Sequence, residues 1–426
     1  MLKRFFRWVV RSVLIAVVLF AIIAISDYLS HRVQPNSVLS VELNGPVVER
    51  GNAGVLGLLS KTQTALDVLR AAINQAAKDP KIVGLEIKVI DPEMELAQAQ
   101  EIVALIQSFK SHGKWTAAYL ETAGESGLGN SPYIVAAACD EVSLMPQGDL
   151  NLMGVQLREL FMRGTLDWLG ITPNFASAGQ YKSAANMFTN KDYTAAQKEE
   201  DQGLADSLFD QIVAAIAGER KLSPDAVKAL IDQAPLNADQ GLKARLVDRL
   251  EYEDEFGERV KNHGGYEHKL VDYNNYARAS VFSTLGGGDQ IAVIYGEGAI
   301  QRGSEGFDPF SGPDTTAMQA DDMDAAFKSA RDDDDVRAVI LRVDSPGGSM
   351  LASELIGRAA ELTAKKKPVV VSMSGYAASG GYLISIPAAK IVAEPGTITG
   401  SIGVLGGKFN VTPAMQKIYT NTNAVS

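Results

Sequence analysis

The chain has 426 residues, room for about three domains, and its 46% hydrophobic and 21% charged content belongs to a globular protein with sizeable cores, not to a disordered or fibrous chain. Lys3, Arg4, Arg7 and Arg11 gather four positive charges in the first eleven residues, so the formal charge of −11 less these four leaves −15 for the remainder. So acidic a body disfavours nucleic-acid binding, which needs a basic stripe to displace phosphate counterions, and the single Cys139, in the apolar stretch 134–139, rules out an internal disulfide.

The N-terminus predicts a membrane span. Ser12 to Ser26 is uncharged and strongly apolar, and it is preceded by Phe5, Phe6, Trp8, Val9 and Val10 with Arg11 placed to snorkel. From Phe5 to Ser26 there is enough helix to cross about 30 Å of hydrocarbon. A cleaved signal peptide is the competing reading, but no clear small-x-small cleavage site precedes Asp27. The basic residues before the span place the N-terminus in the cytoplasm and everything after about residue 30 on the far side.

Beyond the span the chain repeats itself at a spacing near 250 residues. The strand 41–51 matches 293–303, each ending in Arg-Gly, and the alternating strand 82–89 matches 336–343. Amphipathic helices over 97–109 and 352–364 follow, and then Lys114 and Lys367 each open another strand. Tyr133 and Tyr382 are each followed thirteen residues later by a proline, Pro146 and Pro395, and eight residues after that by Gly154 and Gly403. Strand–helix alternation with buried strands predicts an α/β domain with right-handed crossovers, present twice. The predicted organisation is a basic segment and anchor over 1–30, an α/β domain over 37–155, a mainly helical connection over 156–285, and a second α/β domain over 289–426. Ser223-Pro224-Asp225 marks a helix start inside the connection, and Gly286-Gly287-Gly288 marks the second boundary.

The two copies differ where chemistry could reside. After the apolar strand 369–373 comes Gly375-Tyr376-Ala377-Ala378-Ser379-Gly380-Gly381-Tyr382, which reads either as a nucleophilic serine with room for a substrate backbone or as a glycine-rich turn in which Ser379 caps a helix. An offset of 249 places Asn130 opposite Ser379. The second copy also carries Asp344-Ser345-Pro346-Gly347-Gly348-Ser349 where the first has Asp91-Pro92-Glu93-Met94, so one copy reads as catalytic and the other as structural.

A serine hydroxyl needs a base. The four histidines, His31, His112, His263 and His268, sit beside the span, on a lysine-rich helix end and around a polar Gly-Gly turn, which disfavours a Ser-His-Asp triad. Lysine substitutes when desolvation leaves it neutral. Lys182, in a stretch from Trp168 to Lys191 with no Asp or Glu, is the candidate, a solvated lysine being the other reading. Amides of Gly347, Gly348 and Gly380 could serve as oxyanion donors or belong to an ordinary turn, and Ser401 could orient a neutral lysine or be a turn serine.

Taken together, the Asp344–Ser349, Gly375–Tyr382 and Gly396–Gly403 runs with Tyr181-Lys182-Ser183 resemble the signal peptide peptidase A (protease IV) family, peptidase family S49, in its long duplicated form, over essentially all of the chain. The resemblance implies tandem ClpP/crotonase-like domains and a Ser/Lys dyad with Ser379 as nucleophile and Lys182 as base, drawn from different domains. It also implies a bowl-shaped homo-oligomer, a tetramer, on the periplasmic side of the bacterial inner membrane, degrading signal peptides and other apolar peptides with no metal or cofactor. Two departures stand out: the second copy stops at Ser426 where its equivalent of the lysine-bearing segment is expected to begin, and Asp344 occupies a position where related proteins often have Asn. A crotonase-type acyl-thioester enzyme and a non-catalytic membrane scaffold are the alternative functions.

Overall fold

The computed structural model describes residues 33–51, 63–125, 127–281, 288–304 and 317–421. The predicted span over 5–26 lies outside them; among the described residues no helix is long and apolar enough to cross a membrane. The fold is α/β, and it divides into two compact units, one of residues 1–94, 102–152 and 235–287, the other of 95–101, 153–234 and 288–426.

The first unit is built on a parallel sheet whose strands run Lys269–Asp272, Ser37–Val48, Ile82–Glu93, Trp115–Leu120, Glu141–Leu144 and Arg249–Leu250 in spatial order. Ile82, Leu85, Ile87 and Val89 are all almost fully buried, as befits a central parallel strand covered on both faces. Helix Leu66–Lys78 buries Leu66, Leu69, Ala72, Ile73, Ala76 and Ala77, the i, i+3, i+4 stripe of an amphipathic helix. Each large side chain in that stripe contributes about 1.5–3 kcal/mol on burial. Glu86 is the exception: a carboxyl with no solvent exposure in mid-strand, accepting from Ser40 Oγ at 2.5 Å.

The second unit has a parallel sheet in the order Gln290–Glu297, Val336–Ser345, Val369–Ala378, Lys390–Val392, with Ile398–Gly400 paired to the far end of Val369–Ala378. Helices Ala320–Asp332 and Met350–Ala364 bury Phe327 and Ile356 against Leu341, Val343 and Val371. Each unit therefore contains the same run of four parallel strands in sequence order. Arg342 and Glu101 form a buried ion pair at 2.7 Å within this unit.

The pairing of Val336–Ser345 with Val369–Ala378 is interrupted next to the serine. Val343 faces Met373, yet Ser345 faces Ala377, so the second strand bulges over Ser374, Gly375 and Tyr376. Asp344 Oδ1 holds the bulge by accepting from the Tyr376 N–H at 3.0 Å. Gly375 leaves room there for the Glu95 carboxylate, which comes within 1.1 Å of where a Cβ would stand.

The stretch predicted as mainly helical is more mixed. Ser223 caps helix Pro224–Ile231, its Oγ accepting from the Ala226 N–H at 3.2 Å, as the Ser-Pro-Asp signal requires. However, Thr172–Ser177 is a strand, paired antiparallel with Leu405–Asn410, and Lys269–Asp272 is the edge strand of the first sheet. Phe175, Phe188 and Phe409 pack edge-to-face and stacked with centroids 5.1 to 5.6 Å apart, fastening that antiparallel pair to the turn at 186–189.

Candidate active site

Ser379 ends the strand Val369–Ala378 and precedes the short helix Gly380–Leu383 in a strained backbone conformation, φ 53° and ψ −112°. Non-glycine residues persist there only when their surroundings impose it, and such outliers concentrate at functional sites. The imposition is visible: the Ser379 N–H donates to Gly400 O at 2.9 Å, while the Leu383 N–H donates to Ser379 O at 3.0 Å. Its side chain makes no capping hydrogen bond, which removes the capping reading of the sequence.

The hydroxyl meets Lys182 instead. Lys182 follows the strand Thr172–Ser177, whose pairing continues through the Ala178 N–H to Val404 O at 2.9 Å. That ladder places the lysine turn beside the Gly400–Ser401 segment. Lys182 Nζ lies 3.0 Å from Ser379 Oγ and 2.9 Å from Ser401 Oγ, and it also reaches Ser401 O. These contacts form within one chain and within one compact unit. Only 6% of Lys182 is exposed. Burial pushes its amine below the ordinary lysine value, and Glu200 partly opposes the change.

Glu200 was not legible as a partner of Lys182. It lies on helix Ala195–Arg220, outside the carboxylate-free stretch, and burial and neighbouring Asp201 raise its own pKa. The same helix steadies the lysine turn, because buried Gln197 accepts from Asn186 Nδ2 at 2.9 Å. Among the described residues, no histidine belongs to the unit that carries Ser379.

The glycine runs converge on the serine. Gly347 has φ 97°, and a Cβ on it would lie 2.6 Å from Gly380 N and 2.8 Å from Ser379 Cβ. The Gly347 N–H is engaged by Ser345 Oγ at 3.1 Å, whereas the N–H groups of Gly348 and Gly380 have no hydrogen-bond acceptor among the described residues. Ser401 has a positive φ of 47° and offers Lys182 both its hydroxyl and its carbonyl.

The first unit has a comparable strand-to-helix turn next to Asn130. Gly129 precedes helix Asn130–Ala137 and its N–H donates to Asn151 O at 3.1 Å, the same two relations that Ser379 has to its helix and to Gly400. Gly129, next to Asn130, thus takes the hydrogen-bonding place of Ser379, but its backbone is right-handed helical, φ −78° and ψ −5°, without the strain seen at the serine, and neither residue has a hydroxyl.

A buried amine against a hydroxyl on a strained strand end, beside two unengaged amides, is the equipment of a serine hydrolase without histidine. The family model "Peptidase family S49" matches residues 108–266 and 361–426, more than half of the sequence, and the chain belongs to that family. It is 31% identical over 403 residues to the chloroplastic serine protease SPPA of Arabidopsis thaliana, covering 93% of this chain and 57% of that protein. It is 33% identical over 372 residues to protease 4 of Salmonella typhi, covering 83% of this chain and 57% of that one. The chain thus spans little more than half the length of these relatives. Among solved structures, a ClpP1 mutant from Listeria monocytogenes aligns at a TM-score of 0.29 and 11% identity over 50% of this chain and 92% of its own.

Proposed function

We propose that the protein is a serine endopeptidase in which Ser379 is the nucleophile and Lys182 the general base. The observation that carries this reading is the 3.0 Å approach of Lys182 Nζ to Ser379 Oγ. A neutral amine has two N–H donors and one lone pair. With Ser401 O and Ser401 Oγ taking the two donors, the lone pair is left for the serine hydroxyl. Lys182 then removes the Ser379 proton as Oγ adds to the scissile carbonyl. The Gly348 and Gly380 N–H groups receive the oxyanion, and the Lys182 ammonium passes its proton to the departing amine. A water molecule, deprotonated by the same amine, cleaves the acyl-enzyme and restores Ser379.

Tyr376, three residues before Ser379, and Ile402, next to Ser401, are both exposed and favour apolar peptide substrates such as cleaved signal peptides. The apolar run before residue 27 supports a membrane-anchored enzyme at the bacterial inner membrane with its catalytic body on the periplasmic side. Two tandem ClpP/crotonase-like domains, over 37–155 and 289–426 with 156–285 connecting them, and assembly into a homo-oligomer, a tetramer, complete the proposal.

Cleavage of an apolar fluorogenic peptide tests it. Ser379→Ala and Lys182→Ala each abolish turnover while the circular dichroism spectrum is kept; full activity in either variant overturns the dyad. Binding of coenzyme A with no covalent labelling of Ser379 by a fluorophosphonate would point to acyl-thioester chemistry instead.

A further inference from the structure

We propose that Ser345 is a positioning residue that selects which amide of the Pro346-Gly347-Gly348 turn faces the oxyanion. The proposal rests on the peptidase reading above. Pro346 has no N–H, so the turn could offer its donor from Gly347 or from Gly348. Ser345 has no solvent exposure, and its hydroxyl has both hydrogen-bonding roles filled: it donates to Gly298 O at 2.6 Å and accepts from the Gly347 N–H at 3.1 Å. The Gly347 amide is thereby withdrawn from the site, and Gly348 is the first residue after the strand whose N–H is left for a ligand.

The hydroxyl is one link of a continuous ladder. The Gly298 N–H donates to Asp344 O at 2.9 Å, the Ile300 N–H to Gly347 O at 2.9 Å, and the Ser349 N–H to Ile300 O at 2.9 Å. Segment 298–300 thus fixes both ends of the turn, and among the described residues Ser345 Oγ is the one side-chain atom that joins it to the Gly347 amide. The turn is packed closely beside the serine, since a Cβ on Gly347 would lie 2.6 Å from Gly380 N and 2.8 Å from Ser379 Cβ. Without the hydroxyl, Gly347 keeps a buried N–H with no acceptor and Gly298 a carbonyl with no donor. Leaving a buried amide unpaired is costly, and the oxyanion that develops at Ser379 offers it a new acceptor. The Gly347 peptide then turns into the site and displaces the Gly348 N–H.

The test compares wild type with Ser345→Ala and Ser345→Cys, whose thiol is a weak hydrogen-bond partner, using a peptide boronate and a matched peptide substrate with active sites titrated by fluorophosphonate. Loss of one properly placed oxyanion donor costs about 10²–10³ in kcat, so its displacement in Ser345→Ala is expected to weaken boronate binding and lower kcat by about 10- to 100-fold. The substrate KM stays within about threefold and the pH inflection from Lys182 is unchanged, because the loss falls on the transition state. Ser345→Cys lies between the two, and it carries the test alone if the alanine variant does not fold. A variant that binds the boronate as tightly as wild type overturns the role of Ser345, as does a parallel loss in KM and boronate affinity. A wild-type protein that neither binds the boronate nor is labelled at Ser379 overturns the peptidase reading instead.

Discussion

Ser401 meets the Lys182 amine twice, through its hydroxyl at 2.9 Å and through its own carbonyl, and so fixes the direction in which the amine presents itself to Ser379. A single acceptor would leave the amine free to rotate about its terminal bond; two acceptors on one residue with φ 47° do not. Ser401→Ala removes one of them. The expected outcome is a fall in kcat of about tenfold with little change in KM, a part of the roughly 10²–10⁴-fold that general-base catalysis contributes, because Ser379 and Ser401 O still hold the amine. Steady-state kinetics on an apolar peptide checks it.

Lys182 is expected to be a stability cost as well as a base. Burial holds its pKa below the ordinary lysine value, so the folded protein binds this proton less tightly than the unfolded chain does. The sign follows: the contribution to stability is fully present above the unfolded lysine value and is lost as pH falls through the depressed folded value. Lys182→Met, which keeps the apolar stem without the charge, is therefore expected to lower activity by at least about 10³-fold while leaving the thermal midpoint at neutral pH unchanged or raised. Calorimetry beside a peptide assay checks both halves; a large fall in the midpoint contradicts the account.

The strain at Ser379 gives a third prediction. Both Ser379→Ala and Ser379→Gly remove the hydroxyl and are inactive, but only glycine adopts φ 53° and ψ −112° without penalty. Ser379→Gly is expected to be more stable than Ser379→Ala by about 1 kcal/mol, net of the greater chain entropy of glycine. Urea denaturation of the two inactive proteins measures the difference.

Glu86 gives a fourth prediction, in the unit without the serine. Burial raises its pKa above the usual carboxylate value, against the opposing pull of Ser40 and Lys88. The folded unit thus holds a proton that the unfolded chain has released, so this contribution is present below the unfolded value and is lost as pH rises through the folded one. Glu86→Gln, which has no charge to bury, is expected to gain on wild type by about 1.4 kcal/mol for each pH unit between the two values. Urea midpoints across the acid-to-neutral range check it; a constant difference contradicts it.

How much of this was legible in the sequence depended on how local the cause was. Ser379 and its glycines lie in one short run, and a strand followed by small residues announces itself. The Lys182 partnership spans 197 residues and depends on the pairing of Thr172–Ser177 with Leu405–Asn410. Those strands are short and contain Pro173, Gly406 and Gly407, and their residues are largely exposed, so no alternation of buried and exposed positions marks them. The resemblance to a family supplied Lys182 where periodicity did not, although it placed the two residues in different domains and they share one compact unit. The engagement of the Gly347 amide by Ser345 is a matter of one peptide's orientation, which no residue pattern records. Glu86 was equally hidden, since a charged residue in a strand reads as solvent-facing until both faces of the sheet are known to be covered.

The most direct test of the dyad is the rate of covalent fluorophosphonate labelling as a function of pH, with the modified residue identified by mass spectrometry, in wild type and Lys182→Met. The account predicts labelling at Ser379 whose rate rises with pH through a single inflection below the ordinary lysine value of 10.5, and its near-complete loss in Lys182→Met. Labelling of Ser379 at the same rate in Lys182→Met, or labelling of another residue in the wild type, would contradict it.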